Sequence, residues 1–222
     1  MTTRQTEPAL ARRELATRRR SSARAAAAAL ARLGVTPNQV SVCSLVFAGV
    51  AGAALVASPE ATGSTRAAWL ALAALGIQGR LLCNLLDGML AVEQGLKTRT
   101  GDIFNELPDR LADVVILVCA GYGARHVEYG IALGWLSAVL AVLTAYVRVL
   151  AGSLGLPQRF LGPMAKQHRM FVLTLAVAAG AGEALWMRPS LALPAGLAAI
   201  AGGSVITLGR RVHALFRDAG AR

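Results

Sequence analysis

The sequence is poor in charged residues, aromatic residues and cysteine, and each shortage excludes a class of protein. Only 16% of its 222 residues are charged, where about a quarter is usual in soluble proteins. A soluble domain of this length would have no means of covering the apolar surface that remains. The three cysteines, Cys43, Cys83 and Cys119, stand singly in apolar stretches. They exclude a disulfide framework and a zinc site, and they are typical of small core residues.

The sequence is instead rich in apolar residues that form helices. Hydrophobic residues make up 55% of the chain, and the mean hydropathy is +0.52. Because aromatic residues are only 5%, most of this mass is Ala, Leu, Val and Gly, which pack helices closely in lipid. A membrane-spanning helix needs about 20 apolar residues. We therefore predict an all-α integral membrane protein with about six transmembrane helices, near 38–57, 67–91, 102–124, 130–152, 169–187 and 190–208.

The N-terminal region differs from the rest because it is rich in arginine. Within it, residues 18–33 combine Ala and Arg and predict an amphipathic helix lying on an anionic membrane surface. A secretory signal or a transit peptide is the alternative, but the apolar run is long and more spans follow it. We divide the chain into a basic juxtamembrane segment, 1–34, and a six-helix transmembrane domain, 35–222.

The distribution of positive charge predicts orientation. Lys and Arg number 23 against 12 Asp and Glu, a net charge of +11. They cluster at the ends of apolar segments, so anionic lipid headgroups explain them better than nucleic acid does. The N-terminus, the 92–100 loop, the 153–169 loop and the tail are basic, whereas the other side has only Arg66, Arg125 and Arg188. We predict a cell-membrane protein with both termini and the 92–100 loop in the cytoplasm.

Two of the apolar segments carry polar residues on one face. The second has Arg80, Asn84, Asp87 and Ala91, and the third has Gly101, Asn105, Asp109 and Asp113. Both series have helical spacing, and ionisable residues inside a membrane are functional candidates. The short loop between the segments predicts antiparallel neighbours with Asn84 and Asp87 facing Asn105 and Asp109. Such oxygens suit Mg²⁺, Mn²⁺ or Ca²⁺, although a polar interior bonded to Arg80 is the alternative. Pro108 is expected near the helix start, where its missing N–H costs least.

The spacing of these residues resembles a family signature. The sequence reads Asn84-Leu-Leu-Asp87-Gly88-Met-Leu-Ala91-Val92, then eight residues, Gly101, three residues, Asn105, three residues and Asp109. The CDP-alcohol phosphotransferase signature is Asp, two residues, Asp-Gly, two, Ala-Arg, eight, Gly, three, Asp, three, Asp. Every interval matches, and Thr36–Ser41 resembles the family's start of the first span. Three fixed positions differ, since Asn84, Asn105 and Val92 replace two Asp and one Arg.

The resemblance implies a function in phospholipid biosynthesis. An alcohol would receive a substituted phosphate group from a CDP-alcohol, expected to be CDP-diacylglycerol, and CMP would leave. By position, Asp109 is the base, and the ligands of one or two Mg²⁺ or Mn²⁺ ions are Asp87, Asp109, Asn84 and Asn105. Contacts to the CDP-alcohol fall to Asn38, Gly88, Ala91 and Gly101. The resemblance also implies a homodimer.

A second basic cluster is a candidate for the acceptor alcohol. Tyr146-Val-Arg148 and Gly162–Arg169 resemble family segments, and Arg148, Lys166 and Arg169 could bind an acceptor phosphate. The alternative is that they are ordinary cytoplasmic-side charges. Candidates to replace the cation missing at Val92 are Arg80, Lys97 and Arg99. Two other functions stay open, a non-catalytic homologue that binds CDP-lipid or metal and a small transporter, although a transporter would carry its polar cluster at mid-membrane.

Overall fold

The computed structural model describes residues 21–93, 95–96, 101–186 and 190–221. Within these ranges the chain forms seven α-helices and a 3₁₀ turn at Ser58–Glu60, with no strand. The helices are α1 Ser21–Arg32, α2 Pro37–Ala57, α3 Gly63–Val92, α4 Gly101–Gly123, α5 Gly130–Ser153, α6 Lys166–Leu185 and α7 Ala192–Gly220. The predicted all-α class is confirmed.

Helices α2 to α7 correspond one by one to the six predicted segments. Most ends agree within a few residues, but α7 continues to Gly220, well beyond the predicted end at 208. Among the described residues, α2 with its 3₁₀ turn, α3, α5 and α7 are long and apolar enough to cross a membrane. Helices α4 and α6 carry ionic residues in their first turns, which lowers their hydropathy. The chain is an integral membrane protein, and the count of six spans stays a prediction.

The six long helices form a closed ring. Helix α2 packs against α3 and α4, α3 against α6, α6 against α7, α7 against α5, and α5 against α4. The core inside includes Leu55, Ile77, Leu117 and Leu197, all fully buried. Helices α3 and α4 touch each other much less than each touches α2. The expectation that they pack as direct neighbours is therefore wrong for most of their length, because α2 separates them.

Small residues allow the helices of the ring to approach closely. A Cβ added to Gly76 on α3 would lie 2.9 Å from the Ala51 nitrogen on α2. A Cβ on Gly121 of α4 would lie 2.9 Å from the Gly134 Cα of α5. Helices in lipid associate through such contacts, since no hydrophobic effect drives them together there.

Pro37 begins α2, whereas Pro108 lies inside α4. Thr36 caps α2, accepting from the Gln39 backbone N–H at 3.3 Å and donating its own N–H to the Gln39 side chain at 2.9 Å. Pro37 then occupies the first helical position, so the predicted start of the first span is confirmed. Pro108, however, is the eighth residue of α4. It lies beyond the first turn, so the expectation that it falls where a missing N–H costs least is wrong.

Helix α1 lies against one end of the ring. Leu30 and Ala31 pack on a small cluster of Val40, Cys83 and Leu90, and Arg24 pairs with Glu93 at 3.6 Å. The described part of the N-terminal segment is thus helical with an apolar face turned to α2 and α3. Its contact with a membrane surface stays a prediction, and residues 1–20 lie outside the described ranges.

Successive helices run in opposite directions, so the starts of α2, α4 and α6 lie beside the ends of α3, α5 and α7. We call this the site end, and the other the opposite end. Ion pairs between the starts of α4 and α6 and between α4 and the end of α5 establish the arrangement. At the opposite end, Trp186 and Tyr129 are largely exposed, as aromatic residues at a membrane interface are.

Candidate active site

Asp87, near the end of α3, is buried and held by a serine from α2. The Ser41 hydroxyl donates to Asp87 Oδ2 at 2.6 Å, while Asp87 Oδ1 is buried with no hydrogen-bond partner. Asn84 lies one turn earlier, and its amide nitrogen is also buried without a partner. A buried carboxylate oxygen normally has a partner, so this oxygen is available to a ligand. The sequence pattern did not reveal Ser41, although Ser41 closes the Thr36–Ser41 segment that resembles the family.

Asp109, on α4, is the second carboxylate of the site. Its Oδ2 pairs with the Lys166 ammonium from the first residue of α6. Its Oδ1 lies 3.5 Å from the Arg80 guanidinium, which also donates to the Asp109 carbonyl at 3.2 Å. Asp109 is near enough to Asp87 for their charges to interact. The structure therefore brings together the two carboxylates that the sequence predicts.

Below Asp109, a fully buried ion triad joins three helices. Asp113 Oδ1 accepts from Arg80 on α3 at 2.6 Å, and Asp113 Oδ2 accepts from Arg169 on α6 at 3.0 Å. Arg80 is 0% exposed, Asp113 1% and Arg169 2%. Sequence reasoning placed Asp113 on the right helix face but gave it no role, because the motif ends at Asp109. The polar interior bonded to Arg80 thus exists one turn deeper than the predicted ligands.

Arg169, which was predicted to bind an acceptor phosphate, is the α6 member of the triad. Besides Asp113, it donates to the Met164 carbonyl at 3.0 Å and to the Thr144 hydroxyl at 3.4 Å. These contacts favour a role in holding α4, α5 and α6 together. Arg80, a candidate to replace the cation missing at Val92, is engaged in the same triad.

Arg148, near the end of α5, faces the same end of the ring. Its guanidinium donates to Glu106 at 2.5 Å and lies 5.5 Å from the centre of the Phe160 ring. Glu106 also lies 3.5 Å from Arg110. Arg148 lines a cleft with Arg159, Arg211 and Asp218. Arg211, which sequence reasoning counted only as a tail charge, is anchored by donating to the Thr144 carbonyl at 2.6 Å.

The remaining predicted residues lie at the site end of α2, α3 and α4. Gly88 is buried, and partial burial is shared by Asn38, Ala91, Gly101 and Asn105. Val92 is 57% exposed, so the position of the missing family arginine points away from the core. Lys97 and Arg99 lie outside the described residues.

The donor set fits a divalent ion only if amide oxygens contribute. Among the described side chains, no three of His, Cys, Asp or Glu gather closely enough to hold a metal. Asp87 and Asp109 supply carboxylate oxygens, and the amides of Asn84 and Asn105 are acceptable neutral ligands of Mg²⁺ or Mn²⁺. The unpartnered Asp87 oxygen is the observation that supports this fit.

Comparison with known proteins identifies the class. A sequence model of CDP-alcohol phosphatidyltransferases matches residues 34–204, so the chain belongs to that family. It is a membrane-embedded transferase of phospholipid synthesis.

Two relatives have the same name. The phosphatidylinositol phosphate synthase of Streptomyces avermitilis is 31% identical over 199 residues, covering 86% of this chain and 77% of the relative. The phosphatidylinositol phosphate synthase of Mycobacterium marinum is 29% identical over 196 residues, covering 86% and 78%.

Two solved structures share the fold. Both are of the Mycobacterium tuberculosis phosphatidylinositol phosphate synthase. The one with CDP-DAG bound aligns with a TM-score of 0.74 at 23% identity, over 90% of this chain and 96% of that one. The complex with manganese and citrate aligns with a TM-score of 0.74 at 24% identity, over 90% and 91%.

Proposed function

We propose that this chain transfers the phosphatidyl group of CDP-DAG to an alcohol that itself carries a phosphate, in a reaction that needs Mg²⁺ or Mn²⁺. The observation that carries the proposal is the pair of buried carboxylates, Asp87 and Asp109, at the motif spacing and at the site end of α3 and α4. The names of the relatives and the CDP-DAG in a structural neighbour support the donor and the phosphorylated acceptor.

In the proposed reaction, the acceptor hydroxyl attacks the phosphorus next to the lipid, and CMP leaves. Asp87, Asn84, Asn105 and Asp109 are the candidate ligands of a divalent ion, which would supply charge neutralisation at the diphosphate. Phosphoryl transfer needs little beyond positioning and charge stabilisation. Asp109 takes the hydroxyl proton, and Asn38, Gly88, Ala91 and Gly101 contact the CDP moiety.

The acceptor phosphate is assigned to the cleft near Arg148. Arg148 and Arg211 line this cleft from α5 and α7, and guanidinium groups bind phosphate oxygens well. Lys166 and Arg169 are paired with Asp109 and Asp113, which makes them weaker candidates for the acceptor. Among the described side chains, Glu106 is the one ionic partner that a phosphate would have to displace from Arg148.

We further propose that the site end faces the cytoplasm, because arginines such as Arg24, Arg159 and Arg217 gather there and Arg66 and Arg125 lie at the opposite end. Labelling of single cysteines placed at Arg217 and at Arg125 tests this. Reaction of the Arg217 position from outside the cell would overturn it. The homodimer implied by the family also stays a proposal, which the mass of the detergent-solubilised protein would test.

The test of the reaction is CMP release by purified protein in lipid vesicles containing CDP-DAG, with a panel of free and phosphorylated alcohols. CMP is expected with a phosphorylated alcohol and Mg²⁺ or Mn²⁺, and its release should stop on chelation. If the protein binds CDP-DAG yet releases no CMP with any alcohol, it is the non-catalytic homologue instead.

A further inference from the structure

The Lys166 ammonium occupies an oxygen of Asp109 that the family motif assigns to metal. Lys166 is the first residue of α6, where the positive end of the helix dipole disfavours a cation. Its pairing with Asp109 offsets that disadvantage. The two side chains are only 24% and 11% exposed, so the pair is shielded from water and is stronger than a surface ion pair.

The other carboxylate has the opposite environment. Asp87 accepts one hydrogen bond from a neutral hydroxyl, and its second oxygen is buried without a partner. No ion pair to Asp87 occurs among the described side chains, whereas Asp109 has three cations within 4 Å, namely Lys166, Arg80 and Arg110. The two halves of the expected metal site are therefore unequal, and within the described part of the chain the Asp87 half has no ion pair.

The charges around the site also disfavour two metal ions. In the described side chains, four carboxylates, Asp87, Glu106, Asp109 and Asp113, stand against five cations, Arg80, Arg110, Arg148, Lys166 and Arg169. The group is already positive by one charge. Two dications would add four more before the substrate arrives. Aspartates at positions 84 and 105, as in the family motif, would make the same group negative by one charge, but a second ion would still have to displace Lys166 from Asp109.

We propose that this site takes a single divalent ion, at Asp87 and Asn84, and that the Lys166 ammonium on Asp109 serves as the second cation. The proposal rests on the proposed function and specifies its metal requirement. An ammonium has three N–H donors. Lys166 can therefore keep its bond to Asp109 and still donate to a phosphate oxygen of the substrate, as a second ion would contact it.

The test is the number of Mn²⁺ ions bound by the purified full-length protein, measured by electron paramagnetic resonance. The parent should bind one ion per chain with no Mn–Mn coupling. The triple variant Asn84→Asp, Asn105→Asp, Lys166→Met should bind two coupled ions, because two-metal sites hold their ions about 3.5–4 Å apart. The double variant Asn84→Asp, Asn105→Asp, which keeps the lysine, should bind one ion about tenfold more tightly.

Controls separate this charge effect from a change in folding. Arg125→Met breaks the Arg125–Glu60 ion pair at the opposite end and should leave one ion with unchanged affinity. If the triple variant does not fold, Lys166→Met alone should bind its single ion about tenfold more tightly, since a nearby positive charge is gone.

Three results would overturn the proposal: a coupled pair in the parent, two ions in the double variant, or one ion in a folded triple variant. An unchanged affinity in Lys166→Met would do the same. Metal counting does not depend on turnover. A parent that binds one ion but never releases CMP would therefore disprove the proposed reaction and leave the metal assignment standing.

Discussion

Asp109 and Asp113 are the same residue type, one turn apart on α4, and their surroundings differ. Asp113 is 1% exposed and has an arginine on each oxygen. Asp109 is 8% exposed, with a lysine on one oxygen and the nearest cation to the other at 3.5 Å. A carboxylate with both oxygens bonded to arginine cannot accept a proton or a ligand without losing the buried ion pairs that join α3, α4 and α6. The comparison separates a structural aspartate from a reactive one.

The largest expected effect is on catalysis, in Asp109→Asn. This nearly isosteric change removes charge and basicity without opening a cavity. CMP release should fall about 10²- to 10⁴-fold, as for a lost general base, while the unfolding temperature in detergent falls less than in Asp113→Asn. A folded variant that releases CMP at the parent rate would show that Asp109 is not the base.

Asp113→Asn should lower the stability of the fold rather than remove a reacting group. It leaves the buried Arg169 guanidinium without its counter-charge and Arg80 with only the more distant Asp109 carboxylate at 3.5 Å, and such losses cost about 3–5 kcal/mol of stability. Thermal unfolding in detergent is the measurement. The control is Glu60→Gln, which breaks an exposed ion pair with Arg125 and should change little. If Asp113→Asn unfolds like the parent but loses activity, the assignment of the two aspartates must be exchanged.

Arg148→Ala tests whether this arginine binds the acceptor phosphate. Loss of a charged contact to phosphate should raise the acceptor KM by about tenfold to a hundredfold while the KM for CDP-DAG stays constant. The control is Glu106→Gln, which removes the negative charge that pairs with Arg148 and leaves the guanidinium in place; it should lower the acceptor KM or leave it unchanged. Equal effects of Arg148→Ala on both substrates would make Arg148 structural.

The sequence predicted the helices well and their neighbours poorly, for a physical reason. Apolar length and the Thr36 capping box are local features, so the ends of α2 and α5 followed from the sequence. The order of the helices around the ring depends on which small residues meet, such as Gly121 and Gly134. The sequence of one segment cannot show which other helix its small residues contact. The continuation of α7 beyond its apolar part was missed because its last turns are polar.

The site, like the fold, was predicted only in part from the sequence. Spacing and the short connecting loop alone predicted that Asp87 and Asp109 lie at the same end of the bundle. The contacts that distinguish their roles join residues far apart in the chain, as Ser41 and Asp87 or Arg169 and Asp113 do. A count of charges identified Arg169 as a cation but could not show that Asp113 holds it.

Ser41→Ala is expected to have the smallest effect and probes Asp87, the half of the site without a cation. The Ser41 hydroxyl fixes one carboxylate oxygen at 2.6 Å and so orients the other. Loss of a group that orients a metal ligand typically weakens metal affinity about 10- to 100-fold, and we expect the lower end because Asp87 keeps its charge and burial. Mn²⁺ titration is the measurement, and saturating metal should restore most of the CMP release.

The matched control is Ser44→Ala, one turn along α2, whose hydroxyl donates only to the Ser41 carbonyl at 2.6 Å. If both variants lose metal affinity equally, the serines act by packing α2, and Asp87 does not need Ser41 to present its free oxygen.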